Sequence, residues 1–402
     1  MIGPVANAGL KKLELFTKWF KVYDILRHFV PLTMQANSRL ESLDVFRGLT
    51  VAAMILVNNP GTWEHIYSPL RHAPWNGCTP TDLIFPFFLF IVGVSIHFAY
   101  QAKADDGLTK KLFSKIIRRT LIIFSLGIFL SLFPKFDFSA VRIPGVLQRI
   151  SLVFFFCSVL FLTTTWLTQI RMAAILLVAY YILMTFVPVP GHGPANLEPT
   201  TNLGAWLDYL LMEGHLWAQS KTWDPEGLLS TIPALATGII GMLTGKLLTE
   251  IKEPGVRVSW LFFIGAILIF LGLGWGLFFP INKSLWTSSF VLYTAGIAMQ
   301  FLAACHWLID IHRIKTWSKP FTWYGMNAIF VFVVSALLVK TLSRIKVGAG
   351  DNEISVWGYF YKAGFESWLD PINASLLFAI TLVSFFGVVL WWMYKRKIFI
   401  KI

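Results

Sequence analysis

Apolar stretches recur along this chain, separated by short polar breaks. A helix needs about 20 mostly apolar residues to cross a bilayer. Ten stretches fit, near residues 44–59, 80–100, 116–133, 145–165, 172–188, 229–249, 257–279, 285–309, 320–341 and 374–394. Leu, Ile, Phe and Val fill them, with Trp or Tyr near their ends, as an interfacial aromatic belt requires. Upstream, Leu13, Phe16, Trp19, Val22, Leu26 and Phe29 recur at helical spacing, with Lys11, Lys12, Lys18 and Lys21 between them. That pattern predicts a basic amphipathic helix over 1–38 lying on the cytoplasmic membrane surface, with a poorly ordered leader as the alternative, rather than a signal peptide. One transmembrane domain follows over 39–402. The predicted fold class is all-α, a polytopic membrane bundle of about ten helices.

Composition agrees. Hydrophobic residues make up 56% of the 402 and charged residues 14%, with a mean hydropathy of +0.65. Average soluble domains hold roughly 45–50% and 25%, so a soluble enzyme, a disordered chain and a nucleic-acid binder are excluded. The net charge of +13 reflects topology. With the N-terminus inside, the inner segments hold 24 of the 34 Lys and Arg and the outer segments ten. By the positive-inside rule both termini face the cytoplasm. The long connections 189–228 and 342–373 then fall on the outer side, where they can cap the bundle. Cys78, Cys157 and Cys305 are widely spaced and suggest neither a disulfide framework nor a zinc site. No metal is expected.

The densest polar cluster flanks the second stretch: Val57-Asn58-Asn59-Pro60-Gly61, Arg71 to Gly77, and Thr81-Asp82. The predicted topology puts it outside. His72 is the acid–base candidate there, because imidazole can take and give a proton near neutrality; a solvated loop histidine is the plainer reading. Asn58 can orient that ring or a substrate carbonyl. Asp82 can cap the next helix or bind a cationic acceptor. Arg149, a turn inside the fourth stretch, either faces the bundle interior with a partner or snorkels to headgroups. Asp44 and Arg47 can pair on one helix face. Asp224 and Glu226 suit an ammonium or sugar hydroxyls, or simply complement a helix dipole. Asn282-Lys283-Ser284-Leu285-Trp286 reads as a short polar and aromatic outer turn, as at many sugar sites, or as an ordinary interfacial turn. On the inner side, Tyr324 and Asn327 open the ninth stretch, where Asn327 is interhelical glue or lines a cofactor path. Lys246, Arg257, Arg118, Arg119 and Lys319 can meet phosphates or merely follow the positive-inside bias.

The runs Ser42-Leu43-Asp44-Val45-Phe46-Arg47-Gly48, Val57-Asn58, His72-Ala73-Pro74-Trp75-Asn76-Gly77 and Asp82-Leu83-Ile84-Phe85-Pro86 resemble a bacterial member of the heparan-α-glucosaminide N-acetyltransferase family. The likeness continues through Ile143 to Arg149, Asp224 to Gly227 and Asn282 to Trp286. It implies a multi-pass enzyme of the bacterial inner membrane. Acetyl-CoA would serve as cytosolic cosubstrate, and the acetyl group would reach the amine of a glucosamine-type sugar on the outer side. The family's active-site histidine falls on His72 and its neighbouring asparagine on Asn58. Trp75, Asn76, Asp82, Arg149, Asp224, Glu226, Lys283 and Trp286 are the expected acceptor-binding residues. Asn327, Tyr324, Lys246 and Arg257 are those expected for the donor. The partners implied are the amino sugar and the lipid bilayer, with no nucleic acid; a homodimer is compatible with them. Two rival functions fit the same composition. One is a transporter for a sugar or cell-wall fragment, though its usual internal repeats and broken helices are not evident. The other is an O-acetyltransferase of a surface glycan.

Overall fold

The computed structural model describes residues 40–348 and 353–400. The amphipathic helix predicted over 1–38 lies outside them. In chain order the helices are α1 (Glu41–Asn58), α2 (Ile84–Tyr100), α3 (Lys110–Leu132), α4 (Val146–Thr163), α5 (Trp166–Phe186), α6 (Leu203–Met212) and α7 (Thr231–Glu250). Then come α8 (Pro254–Gly276), α9 (Ser288–Cys305), α10 (Lys319–Met326), α11 (Ala328–Arg344), α12 (Val356–Tyr361) and α13 (Pro371–Lys395). A two-residue antiparallel pair, β1 (Lys346–Val347) with β2 (Ile354–Ser355), is the sheet among the described residues. The fold is an all-α bundle.

Among the described residues, seven helical segments are each long and apolar enough to cross a membrane, and α10 with α11 make an eighth if counted together. Helices spanning lipid must satisfy their backbone groups internally, which is why the hydropathy of the chain locates them. The first and third predicted stretches are helical as well. Both carry charge: Glu41, Asp44 and Arg47 on α1, and Lys115, Arg118 and Arg119 on α3. The α1 charges are engaged, with Arg47 Nη1 3.1 Å from Asp44 Oδ1 and Nη2 donating to Ser95 Oγ at 2.8 Å.

One predicted helix is broken. The stretch near 320–341 bends by 83° between α10 and α11. The break falls at Asn327, whose backbone leaves the helical region with φ −124° and ψ 36°. Its side chain holds the C-terminal segment instead, as Nδ2 donates to the Ile398 carbonyl at 3.2 Å and Oδ1 accepts from Ile400 N at 2.9 Å. A side chain that engages neighbouring backbone offers the chain an alternative to continued helix.

Small residues bring the helices close. At Gly48 an added Cβ would stand 1.7 Å from the Phe321 carbonyl oxygen, and at Gly325 one would stand 1.9 Å from that of Asp44. α1 and α10 therefore cross backbone to backbone, as small residues allow in membrane bundles. Gly93 and Gly241 do the same between α2 and α7. Gly48→Ala is expected to destabilise the bundle by about 1–3 kcal/mol or more, the usual cost of overpacking. Melting of the purified protein checks this, since an unchanged Tm would mean that the crossing yields freely.

The connections gather at two ends. At one, Tyr67 bonds Asn373, Trp75 bonds the Leu197 carbonyl, His215 bonds the Val141 carbonyl and Gly77 N donates to Ile281. Both long connections thus reach the end that carries His72. At the other end, Lys315 meets Glu41, His97 meets Thr249 and Arg257 meets His306.

Candidate functional site

After α1 the chain makes two short 3-10 turns, Ser68–Leu70 and Pro80–Leu83, before α2 begins. Thr79 caps the second turn, and Asp82 is its third residue. Asp82 Oδ2 accepts from Thr79 N, Thr79 Oγ1 and Ala73 N, each at 3.0 Å. That leaves Oδ1 to face His72 Nδ1 at 2.6 Å. Asp82 is 1% exposed, whereas the His72 side chain is 47% exposed. With Oδ2 accepting three bonds, the group is a carboxylate and can only accept. Nδ1 therefore carries the imidazole proton, and the lone pair of Nε2 is left as a base.

A second turn completes the cluster. Gly77, at a φ of 109° that a side chain would strain, bridges to Asn282. Asn282 Nδ2 donates to Asn76 Oδ1 at 3.2 Å, and Asn282 Oδ1 accepts from Leu285 N at 2.9 Å. The turn so fixed places Lys283 Nζ 3.0 Å from His72 Nδ1, 3.5 Å from Nε2 and 3.5 Å from Asp82 Oδ1. Nζ thus stands beside the imidazole, within reach of both ring nitrogens and of Asp82. Burial pushes the Lys283 amine below its ordinary pKa, while Asp82 opposes that shift. Burial pushes the Cys78 thiol up to about 12, so the nearby sulfur offers no thiolate nucleophile.

Beneath this turn, Trp286 is 1% exposed and holds a φ of 53°, uncommon for a bulky residue. Its indole donates to Thr237 Oγ1 at 3.2 Å and meets Phe85 edge-on at 5.0 Å. The Arg149 guanidinium lies over it at 5.2 Å. Arg149 is 1% exposed, so it faces the bundle interior. Its Nη2 donates to the Gly227 carbonyl at 3.0 Å and to Ser230, while Nε and Nη1 have no partner among the described residues.

Asp224 and Glu226 come together on a residue that sequence reasoning missed. Arg142 grips Asp224 in a fork, at 2.8 Å from Nε and 2.6 Å from Nη2, and reaches Glu226 at 2.5 Å. Burial works against the Arg142 charge, but these bonds outweigh it and hold the guanidinium firmly protonated. Trp75 stands edge-on to Trp223, which meets Trp217 in turn. An aromatic wall so adjoins the His72 loop.

Asn58 is exposed at the end of α1 and makes no side-chain hydrogen bond among the described residues, whereas Asn59 donates back to Ile55. The four residues expected for the donor stand at the opposite end, each engaged locally. Tyr324 donates to the Val383 carbonyl, and Lys246 pairs with Glu250 over the Trp166 ring. Arg257 donates twice to the Ile251 carbonyl, and Asn327 holds the C-terminal segment. The structure thus joins His72, Asp82, Lys283 and Asn76 into one cluster, with Trp286 and Arg149 beneath it. Missed entirely were the Asp82–His72 bond and Arg142. The ten-residue spacing of His72 and Asp82 matches no helical period, but an acid three residues after Thr79 is a capping signal that fixes where its carboxylate sits.

A family model described as heparan-alpha-glucosaminide N-acetyltransferase, catalytic, matches residues 39–279. The mouse (Mus musculus) protein named heparan-alpha-glucosaminide N-acetyltransferase is 30% identical over 367 residues, covering 76% of this chain and 54% of the relative. The human (Homo sapiens) protein of the same name is 30% identical over 354 residues, covering 73% and 52%. The chain spans about half the length of these curated relatives. With more than half of it matched by the catalytic family model, and with His72, Asn76 and Asp82 inside the matched region, the chain belongs to the heparan-α-glucosaminide N-acetyltransferase family.

Proposed function

We propose that the protein is a membrane acetyltransferase that moves the acetyl group of acetyl-CoA to the amine of a glucosamine-type sugar. The observation that carries this reading is the Asp82–His72 bond, which fixes the proton on Nδ1 and leaves Nε2 as a base. An amine attacks a thioester only after losing its proton, so the device suits the reaction. Asp82 acts as the orienter, the part a buried carboxylate plays beside a catalytic histidine elsewhere. Asn58, unbonded at the end of α1, supplies an N–H to the oxygen that becomes negative as the carbonyl is attacked. The aromatic wall of Trp75, Trp223 and Trp217 offers apolar faces for a sugar ring.

In this reading the donor comes from the end opposite His72. CoA is too large and charged to cross lipid, but its pantetheine arm can thread the bundle and bring the thioester under the His72 loop. Lys103, Lys111 and Lys115, with Asp106 and Thr109, surround a hollow of about 210 Å³ at the junction of α2 and α3. Those ammonium groups suit the donor's phosphates, since Lys246 and Arg257 are engaged elsewhere. The positive-inside count makes that end cytoplasmic, in a bacterial inner membrane with His72 outside.

The test uses purified protein in liposomes, with labelled acetyl-CoA on one face and glucosamine on the other. Label is expected in N-acetylglucosamine. Glucosamine crossing unmodified would favour a transporter, and an ester product on a glycan hydroxyl would favour O-acetylation.

A further inference from the structure

The Asp82–His72 base has an amine beside it before any substrate arrives. Lys283 Nζ is 3.0 Å and 3.5 Å from the two nitrogens of the His72 ring. Its turn is tied to the His72 loop by the Gly77–Asn282 bridge, the Gly77 N bond to Ile281 at 2.7 Å and the Asn282–Asn76 bond. The Trp286 N bond to the Lys283 carbonyl closes the turn itself at 3.0 Å. The side chain is 22% exposed and faces Asp82, which is 1% exposed. In chemical terms Nζ is a primary amine held beside the imidazole, 3.5 Å from the basic Nε2.

We propose that Lys283 is a self-acetylation site, its amine taking the acetyl group beside His72 when no acceptor is bound. This rests on the acetyltransferase reading above. While Lys283 is an ammonium facing Asp82 it cannot attack. Desolvation favours its neutral form against the pull of Asp82, and one proton is lost to water. The nitrogen lone pair then forms the N–C bond to the thioester carbonyl, and the C–S bond breaks. The second proton passes through His72 to the leaving sulfur. The products are Nε-acetyl-lysine and the free CoA thiol, and no other reactant is needed. A bound acceptor amine receives the group instead and displaces Nζ from the ring. The amide formed on Lys283 carries no charge, so Asp82 loses its neighbouring cation, and the modified site is expected to turn over slowly.

The experiment incubates the protein in nanodiscs with isotopically labelled acetyl-CoA, with and without glucosamine, and maps labelled lysines by peptide mass spectrometry. Lys346 on β1, with a side chain 58% exposed and an ordinary surface ion pair to Glu353 at 2.9 Å, serves as the solution-chemistry control. Held beside a base, Lys283 is expected to label about ten-fold more than Lys346 without acceptor. Glucosamine should suppress that label, and His72→Gln should remove it. Pre-incubation without acceptor should also lower activity in step with the label. Labelling of Lys283 no greater than that of Lys346, or unaffected by glucosamine, overturns the proposal even if His72→Gln fails to fold. Acetylated glucosamine with a blank Lys283 defeats this inference alone. No acetyl transfer to either amine defeats the acetyltransferase reading as well.

Discussion

His72→Ala is expected to lower kcat for acetyl transfer by about 10²–10⁴, the usual contribution of a positioned general base. The fold should survive. Asp82 keeps its three bonds from Thr79 and Ala73 and its contact with Lys283 at 3.5 Å, so its buried charge is not abandoned. The lysines around the α2–α3 hollow stand at the other end of the bundle, so donor binding should change little. Asp82→Asn should reach a similar loss by another route. An amide facing Nδ1 can donate, which would turn the imidazole proton onto Nε2 and abolish the base while leaving the ring in place. Measured release of CoA thiol, alongside donor binding and Tm, separates these effects. Wild-type turnover in His72→Ala would remove the histidine from the chemistry. Equal loss of turnover and donor binding would make it a structural residue.

The parts of this architecture that the sequence announces are those that lipid enforces. Every spanning helix must be apolar and nearly uninterrupted, so the helices emerge from hydropathy alone. Where the backbone escapes that rule, the reading falters. Asn327 breaks a helix that looked continuous because its partners, Ile398 and Ile400, are some seventy residues away. α6 lies within a connection and is only ten residues long. Within the site, His72 was visible as a residue type with one obvious chemistry. Its partners were not, because Lys283 is 211 residues distant and Asp82 is set by a 3-10 turn rather than by a period. Asp224 and Glu226 stood out as carboxylates, but only the fold shows that Arg142 neutralises them.

That neutralisation makes Arg142→Met the substitution with the largest expected effect on stability. Asp224 is fully buried at its side chain and Glu226 10% exposed, while Arg142 is 28% exposed. Removing one partner of a buried ion pair leaves the other charge desolvated, at a cost of about 3–5 kcal/mol. Some relief remains, since Asp224 Oδ1 still accepts from Glu226 N at 3.0 Å. Asp208 adds to the strain. Burial, aided by the neighbouring Asp224 charge, pushes its carboxyl up to about 6. The apparent Tm should fall by on the order of 10 °C. Arg142→Met combined with Asp224→Asn and Glu226→Gln should recover most of the loss, because deleting a buried pair together costs far less than stranding one member. An Arg142→Met protein that melts like wild type would show that water reaches these carboxylates. The segment 213–230 would then be held to the bundle by its other contacts, the His215 bonds to residues 141 and 143 foremost.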